Sequence, residues 1–339
     1  MTRQSATPWK DLGLAIGHAT NEPGATGCTV IRGSDRSFRC AAHLLGRASG
    51  TRELATCQPD HLVDVIDAVL LTGGSAYGLD AAAGVMRWME EHGRGHAIGT
   101  GVVPIVPAAT IFDLAPLGQF SARPTADMAY AACDTASGEL VAEGSVGAGT
   151  GATVGKIGGM SQAMKGGVGC GSASNGAISA VAIVVTNSLG DVRDANGRII
   201  AGVRLPDGNF GDGEAMLRSA ARSRPAASAA SVEQARGNTT IAFVAISVSL
   251  TKVQLAQVAA ATSAAFYRRI TPSGTVADGD VIFAACPPTS SASAQDSSAP
   301  LPVVEALAVA AMEEAIERSV RLAHGREGIP GLGDQDAHR

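Results

Sequence analysis

The sequence predicts an α/β protein built from closely packed layers, on three observations. Hydrophobic residues make up 45% of its 339 residues and charged residues 17%, a composition typical of globular chains and not of disordered ones. Aromatic residues contribute only 4%, so alanine, valine, isoleucine and leucine must fill the core, and 42 glycines favour elements that approach one another closely. Short apolar runs alternate with segments of helical periodicity, which is the pattern of stacked sheets and helices.

In the first half of the chain, strand-like runs alternate with helical segments. Residues 63–74 predict a strand that stops at paired glycines, and residues 79–92 predict the helix after it. The two prolines within 101–114 exclude a central strand position there and favour an extended edge or a crossing segment. Residues 125–136 predict a helix, and 178–186 predict a buried strand closed by a turn.

The second half begins with a change of composition. Residues 206–238 are polar and rich in alanine, serine and arginine, so they predict a short helix and a mobile connector. Residues 239–250, directly after them, form one of the strongest strand patterns in the chain. A capping-box pattern at 251–254 opens a predicted helix over 252–269. The chain ends with a predicted strand over 281–286, a loop over 287–302 and a helix over 303–324.

Charge and motif content argue against several classes of function. The 26 basic residues are outnumbered by 31 acidic ones and form no basic cluster, so a nucleic-acid partner is not expected. No segment is apolar over the length of a membrane span, and the first residues lack an apolar leader, so we expect a cytoplasmic protein without a membrane partner. Six scattered cysteines and seven histidines show no metal-ligand spacing, which predicts buried free thiols, no metal and no cofactor.

Two glycine-rich segments resemble known motifs incompletely. Residues 151–157 are one residue short of a P-loop and place Ile157 where a magnesium-binding hydroxyl must stand, while residues 147–152 lack the third glycine of a dinucleotide fingerprint. In the run GGSAYG, Tyr77 occupies the position of the last glycine of a serine-hydrolase elbow. We therefore interpret Ser75 as the N-cap of the following helix.

The junction at Asn238 and Thr239 carries a more specific chemical possibility. Cleavage there would make Thr239 an N-terminal residue, whose α-amine, with a pKa near ~8, can act as general base toward its own hydroxyl. The chain could cut itself by attack of that hydroxyl on the Asn238 carbonyl, followed by hydrolysis of the ester. The tripeptide Asn-Thr-Thr is also a glycosylation sequon and a common start of a strand, so on its own it is weak evidence.

Several blocks in one order resemble the DmpA-like self-processing aminopeptidases. This family includes L-aminopeptidase/D-esterases, β-peptidyl aminopeptidases and nylon-oligomer endohydrolases. The blocks cover nearly the whole chain: LLTGGSAYGLDAAAGVMRWMEE, VVPIVPAATIFDL, RPTAD, GAGTGATVGK, VVTNSLGDVRD, GNTTIAFVA and ADGDVIFAA.

The resemblance implies a role for each matched position. Thr239 corresponds to the nucleophile, and Asn238 ends the α chain. Asn187 matches an amide that stabilises the tetrahedral intermediate, and one such donor contributes roughly 3 kcal/mol. Lys156 matches a lysine whose charge keeps the Thr239 amine neutral.

Two further assignments follow from the same resemblance. Asp278 and Asp280 match a pair that orients the amine; because they alternate along a strand, both would lie on one face, although Asp-Gly is also a frequent turn. Phe112 and Tyr77 are assigned to the substrate pocket. Some nylon-oligomer hydrolases have tyrosine where Phe112 stands, which favours peptide-like substrates here.

The family fold implied by the resemblance is a four-layer αββα sandwich made by two fragments of one precursor. We therefore expect a single catalytic domain over 1–339, divided into an α chain (1–238) and a β chain (239–339), and assembled as a homotetramer. The expected activity is that of an N-terminal-threonine aminopeptidase or amidohydrolase on small peptides, amides or esters. The alternatives are endo-type hydrolysis of 6-aminohexanoate oligomers and a non-catalytic anion- or nucleotide-binding module.

Overall fold

A computed structural model of the chain describes residues 4–5, 8–115, 117–220, 237–287 and 299–334. Its twenty strands in these ranges are β1 (Gln4–Ser5), β2 (Leu14–Asn21), β3 (Thr26–Gly33), β4 (Phe38–Leu44), β5 (Gly50–Arg52), β6 (Val65–Ile66), β7 (Ala68–Thr72), β8 (His96–Ala97), β9 (Val102–Val103), β10 (Ala108–Thr110), β11 (Val141–Ala142), β12 (Thr153–Val154), β13 (Met164–Lys165), β14 (Val168–Ser174), β15 (Ser179–Asn187), β16 (Asp191–Arg193), β17 (Ile199–Ala201), β18 (Thr239–Ile246), β19 (Ile270–Thr271) and β20 (Val281–Cys286).

The α-helices of the described residues vary from one turn to more than five. They are α1 (Ser75–Gly78), α2 (Ala82–Glu91), α3 (Ala126–Asp134), α4 (Gly213–Ala220), α5 (Lys252–Arg269) and α6 (Leu301–Arg321). Thr125 caps α3 through its side chain, and the predicted capping box of Thr251 and Gln254 opens α5.

Two mixed sheets form the centre of the molecule. The first has five strands in the order β2-β3-β7-β10-β5, with β7 and β10 parallel. The second has six strands in the order β14-β15-β18-β20-β4-β6, with β18 and β20 parallel. The remaining strands pair in small two- and three-stranded ladders.

Three apolar layers show how the sheets and helices stack. Alternate residues of β15 divide between two of them: Val181, Ile183 and Val185 join the core between the sheets, whereas Ala182 and Val184 join the core under α5 and α6. The five-stranded sheet packs its other face against α2 and α3. The order is therefore helix, sheet, sheet, helix, and the predicted αββα sandwich is confirmed.

Most predicted elements are present, with one correction. The prolines of segment 101–114 predict an extended edge or a crossing segment, but β10 lies between β7 and β5 and pairs with both. Pro104 and Pro107 precede the strand, so they remove no hydrogen bond from the ladder. The predicted connector over 206–238 contains α4, and residues 221–236 of it lie outside the described residues, as do 288–298 of the predicted loop.

Buried thiols and membrane spans can be checked directly. All six cysteines are unpaired and buried, as predicted. Within the described ranges, no helix combines the length and apolar character needed to cross a bilayer.

The close approach of α6 to β14 predicts a specific sensitivity. A Cβ atom on Gly169 would lie 2.1 Å from the Ala315 oxygen and 2.4 Å from the Ser319 nitrogen, both in the backbone of α6. Gly169→Ala should therefore lower the free energy of unfolding by about 1–3 kcal/mol, as overpacking does. Gly101→Ala is the matched control, because nothing lies within 4 Å of its Cβ position. Urea unfolding of both variants checks this, and equal stability of the two would contradict the close packing.

Candidate active site

The register of the six-stranded sheet brings the predicted site residues to one end of β18. Thr239, the first residue of β18, pairs with Asn187, the last residue of β15. On the other side, Asn238 forms an isolated parallel bridge with Asp278. Thr239 and Asn187 have the same parity as the residues of their strands that face the other sheet. The site therefore opens between the ends of the two sheets.

The Thr239 hydroxyl lies against the preceding peptide bond. Its Oγ1 donates to the Asn238 carbonyl oxygen at 2.5 Å, and the Gly279 N–H donates to the same oxygen at 2.9 Å. Residue 279 must be small, because a Cβ there would lie 2.8 Å from Thr239 Oγ1. The carbonyl of the 238–239 bond thus has a nucleophilic hydroxyl and a fixed backbone donor beside it.

The amide of Asn187 is oriented by its neighbours. Its Oδ1 accepts from the Thr153 N–H at 3.0 Å and from Lys156 Nζ at 3.1 Å. Both partners are donors, so the other end of the amide must be the nitrogen. Nδ2 donates to the Gly237 oxygen at 3.1 Å and to the Phe112 oxygen at 3.3 Å. In the intact chain, Asn187 therefore binds the carbonyl one residue before the Asn238 carbonyl.

Lys156 shares this carbonyl with Asn187. Its Nζ donates to the Gly237 oxygen and to the Asn187 backbone oxygen, each at 3.0 Å. Burial lowers the pKa of Lys156 from its ordinary 10.5 to about 7, although the charges of Asp278 and Asp280 act in the opposite direction. The lysine is thus poised to exchange a proton near neutral pH.

The two aspartates are buried and precede β20, so the prediction that they alternate within the strand is wrong in detail. Asp278 Oδ2 accepts from the Thr275 N–H at 2.8 Å, closing a turn, and Asp280 Oδ1 accepts from the Thr240 N–H at 2.6 Å. Burial, and next the charge of Asp278, raises the pKa of Asp280 to about 7. Burial also raises the pKa of Asp278.

A cleft of about 260 Å³ lies beside Thr239. The residues that line it include Ser49, Ser75, Thr110, Phe112, Gly237 and Asn238. Phe112 therefore lines this cleft. Tyr77 is not among the lining residues; its exposed ring stacks under the Arg123 guanidinium, 3.7 Å from the ring centre.

The role predicted for Ser75 is wrong. Gly74 is the N-cap of α1, and Ser75 is its first helical residue with a left-handed φ of 53°. Sequence reasoning also missed the Gly279 N–H, the Thr153 N–H and the buried Asp113. The first two are backbone groups, which side-chain motifs do not reveal, although Gly279 lies between the two aspartates that were singled out. The described residues contain no group of His, Cys, Asp or Glu side chains that could hold a metal ion.

The sequence is similar to known proteins over most of its length. The sequence matches the model of peptidase family S58 over residues 11–332. It is 42% identical over 250 residues to an uncharacterised aminopeptidase of Mycobacterium tuberculosis, covering 70% of this chain and 67% of that protein. It is 30% identical over 282 residues to a 6-aminohexanoate-oligomer endohydrolase of Paenarthrobacter ureafaciens, covering 80% and 72% of the two chains.

The fold also has a counterpart among solved structures. The L-aminopeptidase D-Ala-esterase/amidase of Ochrobactrum anthropi superposes with a TM-score of 0.67 at 20% identity, over 97% of this chain and 90% of that chain. That structure is a variant of the Ntn hydrolase fold. The layers described above therefore have the arrangement of that fold.

The lowered pKa of Lys156 predicts how stability depends on pH. The unfolded chain keeps the lysine proton up to about pH 10.5, whereas the folded chain loses it near 7, so unfolding takes up a proton between these values. The free energy of unfolding of the wild type, minus that of Lys156→Met, should therefore increase from pH 7 to pH 9. Lys10→Met is the control, because Lys10 is exposed and the hydrogen bond that it donates to Glu139 raises its pKa. A difference independent of pH for Lys156→Met would contradict the buried amine.

Proposed function

Because the chain belongs to peptidase family S58 and is a hydrolase of peptide or amide bonds, we propose that Thr239 is the nucleophile of an aminopeptidase that cuts its own chain at Asn238–Thr239. The observation that carries this proposal is the contact of the Thr239 hydroxyl and the Gly279 N–H with one carbonyl oxygen. Cleavage gives an α chain of residues 1–238 and a β chain of residues 239–339, which together remain one domain.

Self-cleavage is an N-to-O acyl shift followed by hydrolysis. Thr239 Oγ1 adds to the Asn238 carbonyl carbon, and the Gly279 N–H stabilises the negative charge that develops on the carbonyl oxygen. The bond from that carbon to the Thr239 nitrogen breaks, and the hydroxyl proton passes to the departing nitrogen, so the amide becomes an ester. Water then hydrolyses the ester, which restores the hydroxyl and leaves a carboxylate on Asn238.

Turnover repeats the chemistry with an external amide. The freed Thr239 amine takes the hydroxyl proton, and the oxygen attacks the substrate carbonyl carbon. The carbon–nitrogen bond of the amide then breaks, the proton passes to the leaving amine, and water hydrolyses the resulting acyl-enzyme. The charged form of Lys156 lowers the pKa of this amine, so the amine is unprotonated at neutral pH and can accept a proton. Asp278 and Asp280 orient the amine. Once cleavage lets Gly237 move away from Asn187, the Asn187 Nδ2 is free to donate to the substrate oxyanion.

One observation favours endo-type cleavage as a second candidate. The intact chain continues past Asn238 on the acyl side, where Lys156 and Asn187 hold the Gly237 oxygen. A site that holds the carbonyl one residue before the cleaved bond suits an internal amide. The amides of 6-aminohexanoate oligomers, the substrate named for one relative, are of this kind. Phe112 in place of tyrosine argues the other way. Product analysis with linear oligomers decides, because endo cleavage gives internal fragments before monomer.

We also propose an oligomeric state and a cellular compartment for the protein. The family resemblance suggests a homotetramer of processed units without metal or cofactor. Six unpaired buried cysteines are typical of a reducing compartment, which supports a cytoplasmic location.

Thr239 variants test the nucleophile. Thr239→Ala removes the hydroxyl needed for both reactions, so the chain should stay whole and hydrolyse no amide, while its stability changes by only about 1 kcal/mol. Thr239→Ser keeps a hydroxyl and should still cut itself and retain activity. Gel electrophoresis and hydrolysis of aminoacyl anilides provide the readout. An uncut Thr239→Ala chain with full activity would exclude this nucleophile.

Asn187 tests the oxyanion assignment. In correctly cleaved Asn187→Ala, loss of one donor should reduce kcat about 100-fold. Asn175→Ala is the matched control, because Asn175 accepts two backbone N–H bonds in the turn at the opposite end of β15 and lies outside the site. Unchanged kcat in processed Asn187→Ala would assign the oxyanion to other donors.

A further inference from the structure

Two serine hydroxyls in the cleft have no part in the mechanism. Four hydroxyl side chains line the cleft. Of these, Thr239 contacts the Asn238 oxygen, and Thr110 donates toward three backbone carbonyls. The hydroxyls of Ser49 and Ser75 have no hydrogen-bond partner among the described residues. These two groups are therefore available to a ligand in the cleft.

The backbone N–H and carbonyl of Ser75 are both hydrogen-bonded within the protein, so only its side chain is available to a ligand in the cleft. The Ser75 N–H donates to the Ile111 oxygen at 3.0 Å, and the Ser75 oxygen accepts from Thr110 Oγ1 at 2.9 Å. Ser75 also has a φ of 53°, which serine adopts rarely and at an energetic cost. Strained backbone of this kind clusters at functional sites, and Ser75 lines the same cleft as Thr239.

A buried carboxylate holds this turn in place. Asp113 Oδ1 accepts from the Gly74 N–H at 2.6 Å, and Oδ2 accepts from Thr26 Oγ1 at 2.7 Å. Asp113 is only 3% exposed and directly follows Phe112, which also lines the cleft. It therefore connects the turn that carries Ser75 to the wall that carries Phe112.

The two free serines have different neighbours in the cleft. Gly237, on the acyl side of the 238–239 bond, packs on the Phe112 ring, which marks the wall of Phe112 and Ser75 as the acyl side. Ser49 lies between Ala48, whose N–H donates to the Asp278 oxygen at 3.0 Å, and Gly50, which pairs with Thr110. Ser75 is thus the hydroxyl that a substrate's acyl residue would reach.

We propose that Ser75 Oγ accepts a hydrogen bond from the amino group of the substrate's first residue, and that Asp113 is the positioning residue that holds Ser75 for this contact. The inference rests on the proposed function, since it takes Thr239 as the nucleophile. An aminopeptidase substrate ends in an amine where the intact chain continues to Gly237. The Lys156 cation beside the Gly237 oxygen repels an ammonium group, whereas a serine oxygen offers two acceptor lone pairs.

The contact is tested with two substrates that differ only in the amine, alanine p-nitroanilide and propionyl p-nitroanilide. Ser75→Ala, after its self-cleavage has been verified, should raise KM for the alanine substrate roughly tenfold or more, as expected for a lost hydrogen bond to a charged group. Its KM for the propionyl substrate should stay unchanged. Ser263→Ala is the matched control and should change neither value, because Ser263 lies in α5, is not among the residues that line the cleft, and donates its hydroxyl to the Ala260 oxygen.

The outcomes separate this inference from the proposed function. An equal loss on both substrates in Ser75→Ala, or no loss on either, would overturn the amine contact while Thr239 remains the nucleophile. Absence of both self-cleavage and hydrolysis in the wild type would instead remove the proposed function itself.

A double-mutant cycle tests the positioning role of Asp113. Asp113→Asn should reduce kcat/KM for the alanine substrate selectively, and adding Ser75→Ala should cause no further selective loss, because both changes remove the same contact. If Asp113→Asn does not fold, Thr26→Val loosens the same carboxylate with a smaller change. Additive selective losses in the cycle would show that Asp113 does not act through Ser75.

Discussion

The pairing register of β18 is the constraint on which the site depends. Thr239 opposes Asn187 on one side, and the preceding residue bridges to Asp278 on the other. Because side chains alternate across a strand, a slip of one residue would turn Thr239 away from the cleft. Ile241 and Phe243 of the same strand are fully buried between the sheets and fix this register. Core packing thus sets the position of the Thr239 hydroxyl.

Burial of charge is the second physical feature of the site. Lys156, Asp278 and Asp280 lie around one strand end, and burial shifts the pKa values of the lysine and of Asp280 from opposite directions to about 7. Groups that exchange protons near neutral pH suit the proposed chemistry, in which the Thr239 hydroxyl gives its proton to a nitrogen once in self-cleavage and again in turnover. The same burial requires each group to have partners, and backbone groups at Gly237, Thr240 and Thr275 supply them.

The sequence predicted much of this from periodicity and from blocks shared with a family, and the family membership, the layered fold and the hydrolase class are confirmed. It did not predict that β10 is an inner strand, because three residues after a proline carry little periodic signal. The assignment of Asn187 to the oxyanion stays a prediction; in the intact chain this amide binds the Gly237 oxygen, and the Gly279 N–H, which no motif indicated, contacts the Asn238 oxygen. Backbone donors and the left-handed turn at Ser75 arise from tertiary packing, so no side-chain pattern encodes them.

If cleavage before Thr239 creates the catalyst, activity must follow the cut, and a time course on freshly made protein measures both. N-terminal sequencing would follow the fraction of chain that begins Thr-Thr-Ile-Ala-Phe, while hydrolysis of an aminoacyl anilide is measured on the same samples. The account predicts that activity rises in proportion to this fraction and is zero in the uncut chain. Full activity before the new N-terminus appears would contradict it.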